Sequence, residues 1–237
     1  MASPDRIIFL DTETTGLDPK LGHRLIEVAA VEARDRKLTG RHFHRYINPE
    51  RDSDEGALKV HGLTRAFLSD KPKFADIAHD LVEFIAGARL HIHNAAFDIG
   101  FLDAEFSRLG LPCVAELNVE IVDTVMLARS LYPGKKNSLD ALCERLGVNN
   151  AERTLHGALL DARLLAEVFF AMTRGQASLD MSIAPSSDEG DLIDADRGAA
   201  GRVPLVRIEV DAESLERHLA YLAGLGAGRT GQSVWSA

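Results

Sequence analysis

Along the N-terminal part of the chain the hydrophobic period changes repeatedly, and each change marks an element. Residues 7–10, IIFL, are apolar at every position, the pattern of a strand buried on both faces. RLIEVAAVEA (24–33) and RHFHRYINP (41–49) follow at meander spacing, so three consecutive strands are expected. PKFADIAHDLVEFIAG (72–87) switches to a helical period, with Phe74, Ile77, Leu81 and Phe84 or Ile85 on one face. ARLHIHN (88–94) reads as a short strand. FDIGFLDAEFSRLG (97–110) reads as a helix with Ile99, Leu102, Phe106 and Leu109 in one stripe and a glycine at its end. NVEIVDT (118–124) reads as a fifth strand that leads into a helix starting at Asp123 or Thr124 and stopping near Pro133. NSLDALCERLG (137–147) and HGALLDARLLAEVFFAM (156–172) supply two further helices. The order βββαβαβαα predicts an α/β fold, a mixed five-stranded sheet flanked by helices.

The periodicity stops after Gly175. Residues 182–202, SIAPSSDEGDLIDADRGAAGR, are acidic and small, and bury too little to offset the entropy of ordering, so a flexible acidic linker is expected. VPLVRIEV (203–210) and DAESLERHLAYLAGLG (211–226) regain a period, with Leu215, Leu219 and Leu222 on one helical face. Segment 203–237 is shorter than the roughly 40 residues a free-standing core needs. Two readings follow: a tail that packs back on the domain, or a segment that orders on a partner.

Charge narrows the functional classes. Lys and Arg total 27 against 36 Asp and Glu, a formal charge of −9, which argues against a broad basic surface gripping duplex nucleic acid. A local site whose positive charge comes from metal ions stays compatible with it. Two cysteines, Cys113 and Cys143, are too few for a disulfide framework. The first apolar run is too short for a signal peptide, and no segment approaches the ~20 apolar residues of a membrane span. A cytoplasmic location without membrane attachment is the expectation.

The chemistry starts where IIFL ends. Asp11 and Glu13, at i and i+2 of a strand, point to the same face. Two like charges that close are tolerated if the site is wet, if one keeps its proton, or if a cation lies between them. The following Thr14-Thr15-Gly16 offers hydroxyls and a backbone open to close approach. Asp98, in HNAAFDIGF, falls at a strand-to-helix passage, where a first-turn carboxylate favoured by the helix dipole is one reading. Asp161 repeats the situation in the last domain helix. Four carboxylates from separate segments make coincidence a poor account, and hard oxygen donors suit Mg²⁺ or Mn²⁺. His156, five residues before Asp161, is either a structural histidine at a helix start or a proton acceptor with an ordinary pKa near 6.5. Together the set suits phosphodiester hydrolysis assisted by two divalent ions.

DTETTG, HNAAFD and HGALLD, in that order, resemble the three motifs of the DEDDh 3′→5′ exonucleases. The resemblance implies a ribonuclease-H-like sheet, two Mg²⁺ or Mn²⁺ ions, and release of nucleoside 5′-monophosphates from a 3′ end. VDTVMLARSLYPGKKNSLDALCERLGV and RTLHGALLDARLLAEVFFAMTRGQ are similar to the proofreading exonucleases of bacterial replicative DNA polymerases, over about residues 6–176. By that resemblance residues 1–175 are the exonuclease domain, Asp11, Glu13, Asp98 and Asp161 bind the metals, and His156 is the general base. Thr14, Gly16, Val60, His61 and Phe97 would lie beside the terminal nucleotide of a single-stranded or frayed 3′ DNA end. Residues 176–181 resemble a sliding-clamp-binding peptide with Gln176, Leu179 and Met181 as its anchors, although Asp180-Met181 departs from the usual aromatic finish. Residues 203–237 would dock on the polymerase catalytic subunit through Leu215, Leu219, Leu222 and Trp235. An RNA-trimming exonuclease of the same family, or a subunit that mainly bridges polymerase and clamp, are the alternative readings.

Overall fold

The computed structural model describes residues 6–151, 153, 155–174, 211–213, 215–217 and 220. Strand β1 (Ile7–Thr14) is central because both of its faces are apolar: Ile8 and Leu10 turn to one side, Phe9 to the other, and all three are fully buried. It pairs antiparallel with β2 (Leu25–Arg34) and parallel with β4 (Arg89–Ile92). With β3 (Lys37–Tyr46) and β5 (Glu120–Asp123) at the edges, the expected mixed sheet of five strands forms in the order β3-β2-β1-β4-β5.

Helices cover both faces. Helix α3 (Phe74–Ile85) buries Phe74, Ile77, Leu81 and Ile85 against the face that carries Ile8 and Leu10, on the expected stripe. Helix α4 (Ala95–Arg108) packs on the same side. Helices α5 (Thr124–Leu131), α6 (Leu139–Leu146) and α7 (Ala158–Met172) cover the Phe9 side. The Asp123 carboxylate starts α5 by accepting from the Val125 and Met126 N–H groups, and the Ser138 hydroxyl starts α6 by accepting from Ala141. Two short helices after β3, α1 (Glu55–His61) and α2 (Arg65–Leu68), were not expected. One or two turns offer too few repeats for a period to show, and these depend on their surroundings for stability.

Helix α4 corrects the sequence reading. Its buried face is Ala95, Asp98, Phe101, Leu102, Glu105 and Phe106, whereas Ile99 is only partly buried and Leu109 is exposed. The helix is turned so that two acids face inward, because each has a partner there. Glu105 takes a two-pronged ion pair from Arg24, at 2.6 and 2.8 Å, and Asp98 takes a hydrogen bond from Thr12.

The chain divides into two units, Met1–Ile183 and Ala184–Ala237. In the second, the described residues 212, 213, 215–217 and 220 are helical, the Leu215 N–H donates to the Asp211 carbonyl, and Leu215 is half exposed. Gln176, Leu179, Met181, Leu219, Leu222 and Trp235 lie outside the described residues. Among the described residues no helix is long and apolar enough to cross a membrane.

Candidate active site

The alternation of β1 continues past its apolar part, so Asp11 and Glu13 share the Phe9 face and look toward α7, whose first turn carries Asp161. Asp98 comes from the other side. Asn94, in the left-handed conformation (φ 72°), joins β4 to α4 within two residues. That tight passage sets Asp98 in the first turn of α4, next to the end of β1. There the Thr12 hydroxyl, on the opposite face of β1 from Asp11, donates to Asp98 Oδ1 at 2.7 Å. His156 precedes α7, and its N–H donates to the Val60 carbonyl at 3.1 Å, tying the approach to α7 to the end of α1. The five residues and Phe97 line one cleft of ≈ 460 Å³. A neighbouring depression of ≈ 790 Å³ shares His93, Asn94 and Ser138 with it and carries Arg129 and Lys135.

Crowding dominates the electrostatics. Burial, then repulsion from Asp98, Glu13 and Asp161, drives the Asp11 carboxyl well above its ordinary value. Burial, then repulsion led by Glu27 opposite on β2, pushes Glu13 up to about 8. Burial pushes Asp98 up to about 7 although the Thr12 hydrogen bond favours its charged form. Burial and then the charge of Arg153 hold His156 below its ordinary value, so the ring is neutral near pH 7. Ligand atoms of Glu13, His156 and Asp161 lie within 4.8 Å of one another. Four carboxylates with a single guanidinium among them form a site that lacks positive charge, and an all-oxygen acid set fits a hard divalent cation. Asp11, Glu13, Asp98 and Asp161 would hold it.

The other expected contacts divide. Phe97 lines the cleft with its ring 5.0 Å from that of Phe101. Thr14 is buried and donates its hydroxyl to the Gly16 carbonyl at 2.6 Å. Gly16 is needed for packing, since a Cβ there would overlap the His23 ring, which lies beside the Thr15 hydroxyl. Val60 is exposed at the end of α1. His61 is buried, with Nδ1 accepting from the Leu63 N–H and Nε2 without a partner among the described residues. The cleft lining therefore takes in Phe97 and leaves out Thr14, Gly16, Val60 and His61.

Thr12, Leu17, Asp140 and Arg153 line the cleft and were not expected from the sequence. Arg153 is 7% exposed and donates from Nε to Asp161 Oδ1 at 2.5 Å, from Nη2 to Asp161 Oδ2 at 2.8 Å, and from Nη1 to both oxygens of Asp140 at 2.8 Å. The one signal in the sequence was a basic residue three positions before His156.

Acids from both faces of a ribonuclease-H-like sheet, gathered at one strand end with a neutral histidine, define the class: a nuclease that depends on divalent metal. The exonuclease family model matches residues 8–169. The chain is 46% identical over 240 residues to DNA polymerase III subunit epsilon of Pasteurella multocida, covering 98% of this chain and 94% of that one. It is 52% identical over 180 residues to the subunit of the same name from Escherichia coli strain K12, covering 73% and 74%. The chain belongs to the exonuclease family and, within it, to the DNA polymerase III subunit epsilon family. Among solved structures, exonuclease X in complex with 5′ overhanging duplex DNA is 30% identical with a TM-score of 0.56, over 73% of this chain and 92% of that one.

Proposed function

We propose that the chain is the proofreading 3′→5′ exonuclease of a bacterial replicative DNA polymerase, removing mispaired 3′-terminal nucleotides as 5′-dNMP. The observation that carries this reading is the convergence of Asp11, Glu13, Asp98, Asp161 and His156 in one cleft. Asp11, Glu13, Asp98 and Asp161 would hold two Mg²⁺ or Mn²⁺ ions, which would supply Lewis-acid stabilisation of the charge that develops on the phosphate oxygens. His156 takes the proton of the attacking water. Phe97, at the cleft wall, offers an aromatic face to the terminal base. The adjoining depression with Arg129 and Lys135 gives the strand behind that base a path whose charge is opposite to its own. Discrimination needs no reading of base edges, because a mispaired end unstacks at lower cost than a paired one.

Residues 176–181, with Gln176, Leu179 and Met181, serve as the clamp-binding peptide, 182–202 as the linker, and 203–237 as the segment that holds the polymerase catalytic subunit. The half-exposed, helical Leu215 supports the last assignment. Release of 5′-dNMP from a mispaired primer-template, with and without Mg²⁺, tests the chemistry. Asp11→Ala abolishes the metal-dependent rate, and His156→Ala lowers it by about 10²–10⁴-fold. Full activity in Asp11→Ala refutes the reading. Equal rates on matched RNA and DNA oligonucleotides would favour the RNA-trimming alternative. Deletion of 182–237 removes polymerase binding and leaves hydrolysis of free oligonucleotides intact.

A further inference from the structure

We propose that Arg153 is an internal counter-ion that latches Asp161 against a divalent ion and is displaced from it when such an ion binds. The inference rests on the metal-site reading above. Its geometric basis is that both oxygens of Asp161 are already taken: Arg153 Nε donates to Oδ1 at 2.5 Å and Nη2 donates to Oδ2 at 2.8 Å. A cation that uses Asp161 must compete with at least one arm of this fork.

The same guanidinium also sets His156. Arg153 Nη2 lies 3.1 Å from His156 Nδ1, and a guanidinium can only donate, so Nδ1 is the acceptor in this contact. A neutral ring with Nδ1 accepting carries its hydrogen on Nε2. In this arrangement one nitrogen is occupied by Arg153 and the other bears a proton, which leaves the imidazole no free lone pair for a water proton. Withdrawal of Arg153 frees Nδ1. One displacement therefore opens a metal ligand and a proton acceptor together, which couples metal entry to competence of the base.

Asp140 provides the pivot. Arg153 Nη1 donates to both Asp140 oxygens at 2.8 Å, and Asn150 Nδ2 donates to Asp140 Oδ1 at 3.1 Å. Asp140 lies in the first turn of α6 and lines the same cleft. Released from Asp161, the guanidinium stays tethered at the cleft wall through Asp140, with two arms free to meet substrate phosphate. The latch also accounts for a site crowded with acids that still closes on itself: the arginine supplies one of the missing positive charges until a metal brings more.

The test is Mn²⁺ binding to the full chain without DNA, read from the free-ion electron paramagnetic resonance signal, for wild type, Arg153→Gln and Arg153→Lys. Loss of the competing fork tightens Mn²⁺ binding in Arg153→Gln by about tenfold or more, the factor that 1.4 kcal/mol represents. Arg153→Lys, which keeps the charge without the fork, falls between. In ¹⁵N spectra of wild type, addition of Mg²⁺ removes the hydrogen bond that His156 Nδ1 accepts from Arg153 and shifts the Nδ1 resonance, a change that needs no variant to fold. Unchanged or weaker Mn²⁺ binding in Arg153→Gln beside normal binding by wild type, or an unmoved His156 signal in Mg²⁺-saturated protein, overturns the latch alone. Failure of wild type to bind Mn²⁺ overturns the metal-site reading and the latch with it.

Discussion

Removing divalent ions exposes the crowded carboxylates to titration, and the cost appears as stability lost with rising pH. Glu13 is held at about 8 against an ordinary 4.5, and Asp98 at about 7 against 3.8. With the folded-state values raised, the folded protein binds more protons than the unfolded chain. This contribution to stability is fully present below the ordinary values and is lost as pH rises through 7 and 8. His91 acts in the opposite direction between pH 4 and 6.5, because burial holds it at about 4, so the clean window opens at pH 6.5. At 1.36 kcal/mol per pH unit, Glu13 withdraws about 2 kcal/mol between pH 6.5 and 8, and Asp98 a further fraction of a kcal/mol. For a domain of this size, a loss of 2–3 kcal/mol lowers Tm by roughly 5–10 °C. An ion at a hundred times its Kd restores about 2.7 kcal/mol. The assay is thermal melting at pH 6.5, 7.2 and 8, in EDTA and in excess Mg²⁺ or Mn²⁺. Asp11→Asn, which deletes one repelling charge, should melt above wild type in EDTA at pH 8 and respond less to metal. A metal-free Tm that is flat or rising from pH 6.5 to 8, or a metal response no larger at pH 8 than at 6.5, would refute the argument.

Two further perturbations probe the residues that aim the site. Arg24→Ala strands the Glu105 carboxylate, which is only 3% exposed, inside α4; at about 3 kcal/mol the loss lowers Tm by roughly 6–12 °C in calorimetry, and a change under 2 °C would show that the pair contributes little. Thr12→Val keeps the shape of the side chain but removes the donor to Asp98, so the Asp98 carboxyl rises further and the acidic limb of the kcat/KM profile moves to higher pH, with activity about tenfold lower near pH 7; an unmoved limb counts against a positioning role for Thr12.

Much of the fold was legible because its elements repeat their pattern. Phe74, Ile77, Leu81 and Ile85 fixed the inward face of α3. Helix α4 was misread because apolar spacing identifies a buried face only when the inward side is apolar. Its inward side includes Asp98 and Glu105, whose partners lie 86 and 81 residues away in the chain, and no local pattern announces a compensating charge at that distance. Gly16 illustrates the same limit: the sequence suggested a backbone open to a ligand, whereas the group that occupies the space of the missing side chain is the His23 ring, seen only once the turn is closed.

The sequence alone determined the acids, their order and their spacing relative to β1, α4 and α7, since strand alternation and helical period are local consequences of backbone geometry. It therefore determined that Asp11 and Glu13 share a face and that a histidine enters the site five residues before Asp161. Only the tertiary structure decided which groups meet the inward-facing acids: Thr12 on Asp98, Arg24 on Glu105, and Arg153 on Asp161 and Asp140, with His156 beside it. Charge compensation acts through space at distances of about 3 Å, and folding alone sets which residues come that close.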